Sequence, residues 1–151
     1  MSAGPTFAAH AAGLCLFAFS AGVTAQSPSS AAPAGRFDGA WNVTINCPSN
    51  SEASGARGYE YRFPAVVREG VIAGTHGEES TNGWLHIEGA IRPDGGALLD
   101  AQGRTGDPAY AVKKPAPGTR YTYRIKAQFG ETRGTGERIE ARVCHFTFER
   151  K

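Results

Sequence analysis

Charge is missing from the start of this chain, cysteine is scarce throughout, and no segment carries a convincing helical period. Residues 1–25 hold no Lys, Arg, Asp or Glu. The apolar run within them, Ala11 to Val23, is shorter than the roughly 20 residues a membrane-spanning helix takes. It ends in Val23-Thr24-Ala25, a small-residue cleavage pattern, followed by Gln26. These features predict a secretory signal peptide over residues 1–25, although only His10 and the amino terminus supply its positive end. A lipid anchor at Cys15 is not expected, because Leu14 stands where a small residue normally precedes a lipidated cysteine. The competing reading is an apolar tail on a cytosolic protein. Residues 26–36 lack periodicity and are rich in Ser, Ala and Pro, which predicts a flexible linker. One domain, residues 37–151, follows, with no room for a second.

Clustered basic charge is also lacking. The 16 Lys and Arg and 14 Asp and Glu are interspersed and leave a net charge of +2, so no nucleic-acid patch is expected. Lys113-Lys114, Glu131-Thr132-Arg133 and Glu137-Arg138 read as solvated loop and hairpin charges. No G-x-S-x-G elbow and no phosphate-binding loop occurs. The domain serines Ser49, Ser51, Ser54 and Ser80 fall in polar loops. Asn42-Val43-Thr44 fits a glycosylation triplet but sits in mid-strand.

What is present is alternation. With period two, successive side chains leave opposite faces of a strand. Trp41, Val43, Ile45 and Cys47 share one face of the first strand, which Pro48 stops. Tyr59, Tyr61, Phe63, Ala65 and Val67 share a face of the second; Pro64 within it predicts an edge, bulge or bend. Glu69-Gly70 turns into a third strand, Val71 to Thr75. The fourth places Leu85, Ile87, Gly89 and Ile91 inward, with Trp84, His86 and Glu88 opposite. A turn at Arg92-Pro93-Asp94-Gly95-Gly96 leads to a fifth strand, Ala97 to Gln102. Residues 103–118 read as a long irregular loop, a length that usually signals function. Tyr121, Tyr123, Ile125, Ala127 and Phe129 share a face of the sixth strand. A glycine-weakened seventh runs from Arg133 to Ile139, and the last carries Cys144, Phe146, Phe148 and Arg150 on one face.

Eight short antiparallel strands predict an all-β meander closed as a small barrel, with a two-sheet β-sandwich as the alternative. If Cys15 leaves with the leader, Cys47 and Cys144 are the remaining pair. Both fall on the apolar face, near the first and last strands, and a disulfide between them favours closure. Such a bond predicts a periplasmic or secreted protein.

Gly39-Ala40-Trp41 resembles the short G-x-W signature that opens the first strand of lipocalins and related calycin barrels. The resemblance implies that Trp41 plugs one barrel end and that a basic residue near the chain terminus packs across it; Arg150, of the same parity, is the candidate. The domain is nearer in length to avidin-like barrels, yet no avidin biotin site is matched, and no ligand residue follows from either family. Phe37-Asp38-Gly39-Ala40-Trp41-Asn42-Val43-Thr44, Tyr59 to Val67, Tyr121-Thr122-Tyr123 and Gly134-Thr135-Gly136-Glu137-Arg138 together resemble small exported proteins of rhizobia and related alphaproteobacteria. That likeness implies export and no particular activity.

Chemistry is sparse. His86 and His145 point outward on strands four and eight, and His76 reads as part of a solvated loop beside Glu78 and Glu79, so no metal site is expected. Glu88 and Asp100 lie off the apolar face. No cofactor is expected and no catalytic residue is assigned. The candidate binding residues are Tyr59, Tyr61, Tyr121 and Tyr123, whose hydroxyls would each need a partner inside an apolar shell. They read either as core packing with phenols at the barrel mouth or as a pocket for a small apolar or aromatic ligand. The expected function is a non-enzymatic binding module for a small molecule or a protein partner, without membrane insertion. An inhibitor acting through the 103–118 loop is the second reading and a small barrel enzyme the third. Nothing in the sequence sets an oligomeric state.

Overall fold

The computed structural model describes Met1, residues 35–50 and residues 55–151. The expected leader beyond Met1, most of the expected linker, and Ser51 and Ser54 lie outside the described residues. Eight strands form: β1 (Gly39–Cys47), β2 (Tyr59–Arg68), β3 (Val71–His76), β4 (Leu85–Ala90), β5 (Gly96–Arg104), β6 (Arg120–Phe129), β7 (Arg133–Arg138) and β8 (His145–Arg150). Each pairs antiparallel with the next, and β1 pairs with β8, so one sheet closes on itself. The closing register runs from Trp41↔Arg150 to Asn46↔His145. A single closed sheet removes the sandwich alternative, and with it every long unpaired edge.

The inward faces are those the alternation predicts. Trp41, Val43, Ile45, Ile72, Leu85, Ile87, Leu99, Ile125, Phe146 and Phe148 are fully or almost fully buried. Burying each large apolar side chain contributes about 1.5–3 kcal/mol. Tight turns make a meander possible. Glu69 and Gly70 both adopt positive φ, 51° and 73°, the primed turn whose twist suits a two-residue hairpin. The Asp38 carboxylate accepts from both of their amides at 3.0 Å and fastens this turn to the start of β1. At the β4–β5 hairpin Gly95 has φ 83°, and a Cβ there would collide with the Phe129 carbonyl. Only glycine allows that approach.

The two barrel ends differ. At the end where β1 begins, Trp41 is completely buried, its indole N–H donates to the Phe37 carbonyl at 2.9 Å, and its ring meets Phe129 edge-on at 5.7 Å. Phe37 in turn meets Phe129 edge-on at 6.4 Å. Arg150, paired with Trp41 in register, reaches back over Gly39: its guanidinium donates to the Arg36, Asp38 and Glu131 carbonyls. It ties the incoming chain to the β6–β7 turn. This end is filled.

Several boundaries depart from the sequence reading. β5 continues through Gly103 and Arg104, because its ladder with β6 persists to Arg104↔Arg120. The irregular loop therefore covers 105–119, with a short 3₁₀ turn at Pro108–Tyr110. β3 extends to His76, and β7 stops at Arg138, leaving Ile139 half exposed. Trp84 faces outward by parity yet is buried, with its ring stacked at 6.4 Å on His86.

At the opposite end a disulfide ties the last residue of β1 to the chain entering β8. Cys47 and Cys144 are disulfide-bonded with Cα atoms 4.2 Å apart across 97 residues of chain. The bond lies one step beyond the last β1–β8 pair, Asn46↔His145.

Candidate functional site

The end where β1 finishes is open. Its shape starts with Pro64. The β2–β3 register spans only Ala65↔Gly74 to Arg68↔Val71, while β2 stays paired to β1 along its whole length. Proline has no N–H to donate, and it stands where the β2–β3 ladder ends. Beyond it the walls carry Tyr59 and Tyr61 on β2 and His76 on β3. A cavity of about 670 Å³ occupies this mouth, within the range typical of small-molecule sites.

Tyrosines form two stacked pairs. Tyr59 and Tyr61 stack at 5.3 Å and 5°, and Tyr121 and Tyr123 at 5.8 Å and 11°. In a closed ring of eight, β2 and β6 are four strands apart, so the pairs stand on opposite walls. Tyr59, Tyr61 and Tyr121 line the cavity, whereas Tyr123 is buried one layer deeper. The four candidate residues thus come together in space, three at the cavity surface and one beneath it. The His76 ring stacks on Tyr61 at 4.3 Å, and its Nδ1 lies 3.3 Å from the Gly83 carbonyl. His76 was expected in a solvated loop; it occupies the last inward position of β3 instead.

Two arginines complete the mouth, and neither was assigned to it from sequence. Arg138, expected as a solvated hairpin charge, is the third inward residue of β7 after Gly134 and Gly136. Its guanidinium lies 4.1 Å from the Tyr123 ring centroid, a cation–π contact. The period-two series Gly134, Gly136, Arg138 held the signal. Arg142 follows β7 in the loop past Ala141, which adopts φ 67°. It is 5% exposed and donates to the carbonyls of Tyr110 (2.8 Å), Arg57 (3.2 Å), Cys47 (3.4 Å) and Pro48. Its charge sits 5.5 Å above the Tyr59 ring. No local sequence pattern marks Arg142, because every acceptor lies far away in the chain.

The 105–119 loop forms one wall. The Thr105 amide closes its base by donating to the Thr119 carbonyl at 2.9 Å, and the Gly118 amide donates back to the Thr105 carbonyl at 2.7 Å. Asp107 accepts from the Ala109 amide and caps the 3₁₀ turn. The Arg57 amide donates to the Ala109 carbonyl at 2.8 Å, binding the loop to the segment that enters β2. Tyr110 meets Tyr59 edge-on at 6.1 Å.

Burial governs the phenols. It pushes Tyr61 and Tyr123 far above the usual phenol range, and neighbouring tyrosine hydroxyls add to the effect. Tyr121 is pushed up to about 12, chiefly by burial. Tyr59 is raised by burial but pulled back by Arg138 and Arg142 and by accepting a hydrogen bond from Tyr61. All four are therefore neutral donors at physiological pH. An unfolded tyrosine ionises near pH 10. Groups whose folded pKa lies above that value favour the native state fully below pH 10, and this contribution is lost as pH rises toward the folded values. The expected result is a native protein that keeps four phenols protonated at pH 10 and loses stability between about pH 10 and 12. Phenolate absorbance and urea midpoints across that range measure both; four phenols titrating near pH 10 in the folded protein would contradict it.

Among the described residues, no group of three His, Cys, Asp or Glu side chains converges as a metal site requires. His86 bonds Thr75 at 2.8 Å on the outer face, and His145 lies 3.3 Å from Glu137 there. Glu88 and Asp100 are register partners, also outside. No helix among the described residues is long and apolar enough to cross a membrane. Comparison of the chain with family models, with curated proteins and with solved structures returns no match.

Proposed function

We propose that this chain is an exported, non-enzymatic β-barrel binding module whose open end takes one small ligand with an aromatic or apolar body. One observation carries the proposal: the barrel is packed at the Trp41 end and hollow at the other, where the stacked Tyr59 and Tyr61 face Tyr121 across a cavity of about 670 Å³. Flat aromatic walls with neutral hydroxyls supply contact area at little entropic cost and orient polar edges. The disulfide supports an oxidising compartment, and hence the periplasm or the exterior.

The outer face supports a barrel surrounded by water. Arg62, Glu88, Asp100, Arg124 and Lys126 point outward in mid-strand, where a lipid-facing barrel carries an apolar band. The second reading, an inhibitor acting through the 105–119 loop, is less well supported, because that loop is bonded back onto the barrel and walls the cavity. An enzyme is least supported: His76 faces the mouth, but among the described residues it has neither a carboxylate nor a serine or cysteine nucleophile as a partner.

Native mass spectrometry of the protein purified from its own compartment tests the proposal. A retained small ligand, lost on Tyr61→Ala, is the expected result. A bare mass, together with no binding of aromatic probes, would overturn it.

A further inference from the structure

We infer that the ligand of this mouth is an aromatic carboxylate, held with its anionic group against Arg138. The inference rests on the ligand-binding reading above and adds the sign of the ligand's charge.

The argument begins with what Arg138 lacks. Four outward arginines, Arg62, Arg120, Arg124 and Arg133, each lie 3.0–3.7 Å from a glutamate. Arg142 is buried and its Nε is also unpartnered, but its terminal nitrogens donate to four backbone carbonyls. Arg138 is half-buried, lines the cavity, and makes no side-chain hydrogen bond or ion pair with any described residue; its Nε is fully shielded and unpartnered. Holding a guanidinium partly out of water without an anion is unfavourable, and one aromatic face offsets only part of that.

The groups around Arg138 do not neutralise it. The lining carboxylates are Glu60 and Asp107. Glu60 accepts from Asn46 and Arg62 on the outer face, and Asp107 caps the 3₁₀ turn. The tyrosines are neutral donors. Arg142 and Lys113 add positive charge to the same cavity. A carboxylate fits this position: the planar fork of a guanidinium can meet both its oxygens, and its planar group continues the plane of an aromatic body. Tyr59 and Tyr61 on one wall and Tyr121 on the other then sandwich a flat body attached to it.

Two probes of similar body and different charge test this on the oxidised full chain: anilinonaphthalene sulfonate, an anion, and N-phenylnaphthylamine, which is neutral. The wild type is expected to bind the anion roughly 10-fold or more tightly than the neutral probe, the scale of one charge-assisted hydrogen bond. Arg138→Gln should abolish that preference, and Arg138→Lys should retain part of it. Benzoate should displace the bound anion from unmodified protein at lower concentration than benzamide, a comparison that does not depend on how a variant folds. Equal binding of both probes, with benzoate and benzamide equivalent, would overturn the anion inference and leave the pocket standing. Binding of neither probe would overturn the pocket itself.

Discussion

Trp41→Ala lowers the unfolding free energy by about 3–5 kcal/mol, the usual cost of deleting a large aromatic from a packed core. The side chain is completely buried, so nothing but the barrel interior can collapse into the space. The loss has two parts. The first is the edge contact with Phe129 at 5.7 Å and the apolar area of the indole. The second is the Phe37 carbonyl, left without the donor that now sits 2.9 Å away. Trp41→Phe keeps one aromatic ring but removes the N–H together with part of the indole, so it is expected to fall short of the alanine effect, with the lost hydrogen bond accounting for about 0.5–1.5 kcal/mol of its cost. Urea denaturation of both variants makes the measurement. Because Trp41 lies at the filled end, probe binding at the opposite mouth should survive both substitutions under native conditions. A loss below about 1 kcal/mol for Trp41→Ala would mean that this end is not the plug described here.

Reduction of Cys47–Cys144, or its replacement by a pair of alanines, is expected to act at both the global and the local level. Globally, the bond closes a loop of 97 residues. On the chain-entropy estimate such a loop contributes about 4–5 kcal/mol. For a domain of this size, that lowers Tm by about 10–20 °C. The β1–β8 ladder from Trp41↔Arg150 to Asn46↔His145 is independent of the bond, so the barrel still closes in the cold. Locally, the effect falls on the mouth. Cys47 and Pro48 supply two of the carbonyls that hold Arg142, and Arg142 in turn holds Tyr110 and the 105–119 loop. The reduced protein should therefore bind aromatic probes more weakly even where it remains folded. Thermal melts with and without reductant, paired with probe titration below the transition, read the two effects separately. An unchanged melt would contradict the global claim, and unchanged probe affinity the local one.

The two ends of the barrel show how chemistry is divided along each strand. Inward positions near Trp41 are filled by Phe37, Phe129 and Phe148, and Gly134 and Gly136 on β7 leave them room: a Cβ at either would come within 3.0 Å of Phe129 or Ile125. At the mouth the same inward positions carry Tyr, His and Arg. Pro64 marks the change on β2, since its ladder with β3 stops there. A filled, aromatic end and an open end lined by Tyr, His and Arg are thus encoded on the same strands.

Alternation placed all eight strands to within a few residues, put most of the core on one face of them, and put Cys47, Cys144 and the four tyrosines on that face. Those are local properties: a strand sends residue i and residue i+2 to the same side whatever it pairs with. Parity also placed Arg138 inward, through Gly134 and Gly136, but hydrophobicity hid it, because glycines and an arginine do not read as a core face. Only the closed structure decided the rest. Choosing barrel over sandwich depended on β1 meeting β8, a contact between the two ends of the domain. His76 became part of the mouth because β3 ran one residue further against β4, to His76↔Leu85. Arg142 acquired its role from carbonyls 32 to 95 positions away. Such partners leave no periodic trace, since they are brought together by ring closure rather than by the geometry of any single strand.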